Sequence, residues 1–178
     1  MPTNSIRRLT PSLVASALLL AIFGLYQPIK ARTSSTTTEV QSIAYSPEQI
    51  ERGSYLVTIT GCNDCHTPGY PEADGNLPVS EWLTGSPLGW RGPWGTTYAI
   101  NLRLFMQGLS EDEWLTYART ARSRPPMPWY VLRDLSDSDL VAIYKFVKFL
   151  GPAGEPMPAY VPPDKEPTGP YVEFPSTF

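Results

Sequence analysis

The segment that decides how this chain is interpreted reads Cys62-Asn63-Asp64-Cys65-His66. The chain has 178 residues with two cysteines and one histidine, so both thiols and the only imidazole lie within these five positions. Residues three apart lie on the same side of a helical turn, which brings the two sulfur atoms together, and His66 follows directly. We expect the two intervening residues, Asn63 and Asp64, to act as spacers that face outward.

The pattern C-x-x-C-H is typical of covalent haem attachment. The thiols of Cys62 and Cys65 would form thioether bonds to the two vinyl groups, and His66 would be the proximal ligand of the iron. Three alternatives remain open. A thioredoxin-like dithiol needs a preceding strand, whereas the preceding pattern is helical. A zinc site needs a fourth, distant ligand, and a disulfide between residues three apart closes too short a loop to stabilise much.

The sixth iron ligand cannot be a second histidine, because the chain has one. The candidates are Met106, Met127 and Met157, or no protein ligand at all. Met127 lies in the segment RPPMPW, residues 124–129, where prolines on both sides stiffen a loop that can hold a thioether in place. Met127 could instead fill a gap in the core, Met106 could belong to the core, and Met157 lies in the proline-rich tail. We predict Met127 as the ligand, and His/Met ligation with burial predicts a high, positive reduction potential.

The N-terminal residues predict export. Arg7 and Arg8 precede an apolar run over residues 13–26, which is the size of a signal-peptide core and short for a membrane span. We therefore interpret residues 1–31 as a signal peptide or, because Ile29 and Lys30 fit a cleavage site poorly, as an uncleaved N-terminal anchor. Residues 32–45 are rich in Ser and Thr and predict a flexible tether. The expected location is the periplasm, with membrane contact only if the anchor is retained.

Three helices are predicted in a domain spanning residues 46–151. Their start signals are Ser46 with Pro47 and Gln49, the residues Ser110–Glu113, and Ser136 followed by acidic residues. Gly53 within the first helix indicates the close approach of another element. Residues 67–109, rich in Gly, Pro and Trp, predict a long irregular loop, and no alternating strand pattern is present. Residues 152–178 contain eight prolines and predict an extended tail, either free or laid on the domain surface. The expected fold is all-α, with three main helices around a haem.

Residues 46–151 resemble the class I c-type cytochromes, especially bacterial periplasmic monohaem proteins and the cytochrome subunits of periplasmic dehydrogenases. The resemblance rests on C-x-x-C-H-T-P at residues 62–68, G-x-x-Y-x-x-N at 95–101 and M-P-W at 127–129. It implies a cytochrome c-like fold in which the N- and C-terminal helices cross closely, at Gly53 and Tyr144 or Phe146. It also implies that Asn101 lies near the haem propionates, where Arg103 offers a cation. The alternatives are a loop residue at Asn101 and a solvated charge at Arg103.

The expected function is a single-haem electron carrier rather than an enzyme. Two alternatives stay open: a haem protein with a labile sixth ligand that acts as an enzyme or gas sensor, and a fixed electron-transfer subunit of a dehydrogenase complex. The net charge of −3 disfavours nucleic acid as a partner. Removal of residues 1–31 makes the chain more acidic, so we expect redox partners with a basic docking surface, such as a dehydrogenase or a terminal oxidase.

Overall fold

The computed structural model describes residues 45–175, so the predicted leader and almost all of the predicted tether lie outside the described residues. Within this range, short helices and a small sheet accompany three longer helices. The helices are α1 (Pro47–Ile59), α2 (Cys62–His66), α3 (Leu102–Gln107), α4 (Glu111–Thr120), α5 (Trp129–Asp134) and α6 (Asp137–Leu150). The strands are β1 (Gly89–Gly92), β2 (Gly95–Tyr98) and β3 (Tyr171–Glu173), and a single 3₁₀ turn spans Val79–Glu81.

The three predicted helices are confirmed, and their caps explain where they begin. The Ser46 hydroxyl accepts from the Gln49 backbone N–H at 3.3 Å, while the Gln49 side chain accepts from the Ser46 N–H at 3.4 Å. Ser110 and Glu113 make the same reciprocal pair at the start of α4. These capping boxes satisfy backbone donors that the first helical turn leaves without partners.

The close approach predicted at Gly53 is also confirmed. A Cβ atom at Gly53 would lie 2.2 Å from the Ala142 carbonyl oxygen and 2.5 Å from the Phe146 Cβ, so only glycine permits α1 to cross α6 at this distance. Phe146, rather than Tyr144, occupies the crossing point. Beside it, Arg52 of α1 pairs with Asp139 of α6 at 2.8 Å.

The expectation of an all-α fold is wrong, because the domain also contains a three-stranded sheet in the order β2-β1-β3. β1 and β2 form an antiparallel hairpin whose register ends at Gly92 opposite Gly95, and β3 runs parallel to β1. Glycines weaken the strand signal of the hairpin. The third strand comes from the proline-rich tail, about 80 residues later, and a local pattern does not reveal a pairing of that range.

Two predicted irregular segments have definite structure. Residues 67–109 contain the 3₁₀ turn, the β1–β2 hairpin and α3. The tail lies on the domain, which is one of the two predicted alternatives. Thr96 and Val161 exchange backbone hydrogen bonds of 2.7 and 3.0 Å, and beyond them β3 lies at the sheet edge with its three residues exposed.

The apolar core lies where α1, α4 and α6 meet. Leu140 and Val147 of α6 are fully buried, and Leu56 of α1 is 2% exposed. Trp114 of α4 is fixed in this core by a 2.8 Å hydrogen bond from its indole N–H to the Leu140 carbonyl.

Within residues 45–175, no helix is both long and apolar enough to cross a membrane. The core leaves one side of α6 facing the cavity described next.

Candidate functional site

A cavity of about 490 Å³ brings the predicted site residues together. Cys62, Cys65 and His66 line it from α2, and Met127 lines it from the loop between α4 and α5. Its volume lies within the range of about 300–1,000 Å³ that is usual for cofactor and ligand sites. Most of the other lining side chains are apolar, among them Leu83 and Val147. The cavity therefore suits a large, mainly apolar guest with contacts to thiols and to an imidazole.

The turn that carries the two thiols begins at Gly61. This residue has a φ of 71°, a left-handed conformation in which glycine carries no steric penalty, and it separates α1 from α2. Cys62 and Cys65 are free thiols that both line the cavity. Burial raises the pKa of both thiols, and Asp64 adds to the increase. A thioredoxin-like nucleophile requires the opposite shift, towards the thiolate.

His66 is held by its backbone and by its ring. Its Nδ1 lies 2.7 Å from the Ile100 carbonyl oxygen, and its own carbonyl accepts from the Gly85 N–H at 2.7 Å. A carbonyl can only accept, so Nδ1 carries the hydrogen and Nε2 keeps a free lone pair. Burial lowers the pKa of His66, although the bond to Ile100 opposes that shift. The ring is therefore neutral at pH 7 and is oriented as a metal-ligating histidine would be.

The expectation that both spacer residues face outward is wrong for Asn63. Asp64 is exposed, but Asn63 is completely buried. The Asn63 Oδ1 accepts a 2.7 Å hydrogen bond from the Thr67 hydroxyl, which itself accepts the Leu83 N–H at 2.8 Å. Residues four apart share a face of an α-helix, so Asn63 pairs with Thr67 just beyond the helix. These two hydrogen bonds connect α2 to the segment around Leu83, which precedes the β1–β2 hairpin.

Met127 lies on a loop, as predicted, and neighbouring groups hold that loop at several points. The Met127 carbonyl accepts from the Trp129 N–H at 2.9 Å, and its N–H donates to the Arg124 carbonyl at 3.3 Å. The Thr97 hydroxyl of β2 donates to the Pro125 carbonyl at 2.8 Å. The hairpin that the sequence did not predict therefore supports the loop carrying the predicted ligand.

The other two methionines also line the cavity. Met106, from α3, is 1% exposed and lies in the core, as its alternative interpretation predicted. Met157 belongs to the tail, whose residues 157–160 form one part of the cavity wall. The structure thus places three thioethers around one cavity. Met127 and Met157 both lie between prolines, but only Met127 lies on the loop that the Thr97 hydroxyl holds at Pro125. Local sequence patterns gave no signal for this wall, which depends on the tail folding back.

Asn101 and Arg103 are both occupied elsewhere. The Asn101 amide donates to the carbonyls of Ala153 and Glu155 at 2.8 and 3.2 Å, and its Oδ1 caps α3 through the Leu104 N–H at 3.0 Å.

Arg103 is 6% exposed rather than solvated. Its guanidinium donates to the Gly151 carbonyl at 2.6 Å, the Ser80 carbonyl at 2.7 Å and the Leu150 carbonyl. These two side chains therefore hold the start of the tail and the end of α6. Neither Asn101 nor Arg103 is among the residues that line the cavity.

The described residues bear on two of the alternatives to haem attachment. A helix, α1, precedes the motif where a thioredoxin-like dithiol requires a strand. Within residues 45–175, no group of three His, Cys, Asp or Glu side chains is arranged to hold a metal ion. No protein family, curated protein or solved structure matches the chain, so a functional assignment rests on the residues and geometry of this site.

Proposed function

We propose that the chain is a single-haem c-type cytochrome that transfers one electron at a time between redox partners. One observation carries the proposal: Cys62, Cys65, His66 and Met127 line a single apolar cavity of about 490 Å³. These residues supply the two thiols, the neutral imidazole and the thioether that a covalently attached, His/Met-ligated haem requires. A bound haem would supply reversible one-electron chemistry between the ferric and ferrous states of its iron.

The protein residues have separate tasks in this proposal. Cys62 and Cys65 anchor the cofactor, and His66 presents Nε2 because Ile100 engages Nδ1. Met127 supplies the second axial ligand from a braced loop. Two rigidly held axial ligands, His66 and Met127, favour electron transfer, because the iron site then rearranges little when its charge changes. The apolar wall excludes water and favours the less charged reduced state.

The cavity wall supports a carrier rather than an enzyme. None of its described lining residues is an aspartate or glutamate, and its one histidine is the proposed ligand. Peroxidase-type chemistry requires an acid–base group beside an open coordination position. A fixed subunit of a dehydrogenase complex would use the same site, and the two versions differ only in the lifetime of the partner complex.

The partner and the compartment extend the proposal beyond the site. We place the protein in the periplasm, with residues 1–31 as its signal peptide or anchor. Its redox partners would be proteins with a basic docking surface, such as a dehydrogenase or a terminal oxidase. Electron transfer between such partners should slow as salt is added, since screening weakens the attraction between opposite charges.

The first test is the visible spectrum of the purified, reduced protein before and after carbon monoxide. We expect haem that stays attached on a denaturing gel, a low-spin spectrum that carbon monoxide leaves unchanged, and a positive potential in an equilibrium redox titration. Absence of covalent haem would overturn the proposal. A carbon monoxide adduct of the wild-type protein would favour the labile-ligand alternative.

Variants of the three methionines identify the ligand. Met127→Ala should give a reduced protein that binds carbon monoxide, because the sixth position is then open. Met157→Ala is the matched control, since Met157 also lines the cavity and should leave the position closed. If Met157→Ala or Met106→Ala opens the iron and Met127→Ala does not, the assignment of Met127 is wrong although the protein remains a cytochrome.

A further inference from the structure

Arg124 is the one side chain in the described cavity wall that carries a full charge at neutral pH. It lies three residues before Met127, on the same loop. Thr97, Ser123 and Tyr160 also line the cavity, and the Thr97 and Tyr160 hydroxyls donate to the backbone carbonyls of Pro125 and Trp94. Arg124 is exposed, so water solvates its charge, and its position at the wall lets it attract an anionic group held in the cavity.

The protein itself supplies no carboxylate for Arg124 within residues 45–175. The ion pairs of that region join Arg52 to Asp139, Arg91 to Glu166, Arg119 to Asp137 and Arg133 to Asp134. The guanidinium carbon of Arg124 instead lies 3.8 Å from the centroid of the Tyr160 ring. A guanidinium stacked on a ring keeps its N–H donors at the edge of the plane, where a carboxylate can accept two of them.

The position of Tyr160 is itself fixed. Its hydroxyl donates to the Trp94 carbonyl at 2.9 Å, at the tip of the β1–β2 hairpin. The next residue, Val161, pairs with Thr96 of β2. The tail, the β1–β2 hairpin and the loop that carries Met127 therefore meet at Arg124. The Arg124 guanidinium is held at the cavity wall although the residue is exposed.

We propose that Arg124, stacked on Tyr160, binds a carboxylate of the cofactor held in the cavity. This inference rests on the proposed haem function: haem is an apolar ring system with two propionate carboxylates on one edge. The residues that the family resemblance placed near the propionates, Asn101 and Arg103, spend their donors on carbonyls of the tail and of α6. Arg124 has donors at the wall and a geometry suited to a carboxylate.

The test compares Arg124→Gln with Arg122→Gln in the full-length, haem-loaded protein. Arg122 is a matched control: it is an exposed arginine on the same loop, its guanidinium lies 4.3 Å from the Trp129 ring centroid, and it does not line the cavity. Loss of the Arg124 cation favours the oxidised state, which carries one more positive charge. At the wild-type midpoint potential, we expect the ratio of oxidised to reduced protein to rise roughly fivefold for Arg124→Gln, with little change for Arg122→Gln.

Two further variants separate charge from packing. Arg124→Lys keeps the cation and should restore most of the wild-type potential. Tyr160→Leu keeps Arg124 but removes the ring beneath it, so a smaller shift in the same direction is expected. Thermal unfolding checks that each variant is folded.

Equal shifts for Arg124→Gln and Arg122→Gln would show that both act only as surface charges, and the assignment of Arg124 would be overturned. An unchanged potential in Arg124→Gln with slower reduction by an acidic partner would assign Arg124 to docking instead, which also overturns it. If the wild-type protein carries no covalent haem, the proposed function itself fails, and this result is distinct from either of the others.

Discussion

Thr67 shows how much of the site depends on a single hydroxyl group. It follows His66 directly and is 2% exposed. Its oxygen donates to Asn63 at 2.7 Å and accepts the Leu83 N–H at 2.8 Å. The histidine is therefore held on both sides, by Ile100 at its ring and by the buried Thr67 pair just beyond its backbone.

Thr67→Val is expected to destabilise the protein by at least about 2 kcal/mol. The substitution conserves shape but leaves the Asn63 oxygen and the Leu83 N–H buried without this partner, and each such loss costs about 1–3 kcal/mol. The measurement is urea unfolding at equilibrium, with the midpoint lowered and the slope unchanged.

Thr120→Val is the control for that experiment. Thr120 is exposed, and its hydroxyl donates only to the Thr116 carbonyl of its own helix, at 2.7 Å. Its effect should stay within about 0.5 kcal/mol, as for most surface substitutions. Equal midpoints for the Thr67 and Thr120 variants would mean that the buried pair contributes nothing.

At the scale of single residues, the reactive groups could be predicted from the sequence, but the hydrogen-bond partners that hold them could not. Cys62, Cys65 and His66 were predictable because their residue types and spacing carry the chemistry. The Ile100 carbonyl was not, because every residue has a carbonyl and only the fold decides which one meets His66. Asn63 was assigned outward for a similar reason, since its partner, Thr67, becomes buried only when the segment around Leu83 packs over it.

Among the elements, the α1–α6 crossing leaves no room for a side chain at Gly53. At Gly53 the backbone of one helix approaches the Ala142 carbonyl and Phe146 too closely for a methyl group. Helix packing at ordinary side-chain separation leaves interaxial distances of about 8–10 Å. A glycine at the crossing lets the two longest helices of the described residues approach more closely, and the cavity lies beside them.

Gly53→Ala is expected to lower the free energy of unfolding by about 1–3 kcal/mol, as overpacked sites do. The sign is diagnostic, because Gly→Ala at an open helical position stabilises by about 1 kcal/mol through backbone propensity. Glu51→Ala, at an exposed position of the same helix, is the control and should change little. A thermal scan or urea titration in which Gly53→Ala proves more stable than wild type would contradict the close crossing.

The predictability of each element followed the range of the interactions that form it. α1, α4 and α6 each begin at a serine that pairs with the residue three positions later. Each start can therefore be recognised in a short stretch of sequence. β1 and β2 contain several glycines, and β3 is completed only by a distant parallel partner. The all-α expectation failed because a sheet formed by non-local pairing leaves little trace in a short window of sequence.

For the molecule as a whole, the tail is part of the cavity rather than an appendage. Residues 157–160 line the wall, and the pairs at Thr96–Val161 and along β3 attach the tail to the hairpin. Hydrophobic patterning could not reveal this role, because prolines suppress any periodic signal. The tail had two predicted alternatives, free or laid on the domain, and its contacts select the second.

Two truncations test the tail as a wall. A chain ending at Gly154 lacks residues 157–160, so we expect an altered visible spectrum of the bound haem and a lower thermal midpoint. A chain ending at Pro163 keeps the wall and the Thr96–Val161 pair but lacks β3, so its spectrum should stay like that of the full chain. The role of the tail is refuted if both truncated proteins keep the full-length spectrum.

The position of this wall in the chain also sets an order of assembly. Every other described lining residue precedes residue 148, and residues 157–160 follow it, so this side of the cavity is the last part of it to be synthesised or exported. Until residues 157–160 have paired with the hairpin, α2 and the loop that carries Met127 surround a pocket that is open on one side. We expect the proposed haem to enter through that side while Cys62 and Cys65 are still accessible, before the final segment pairs with the hairpin.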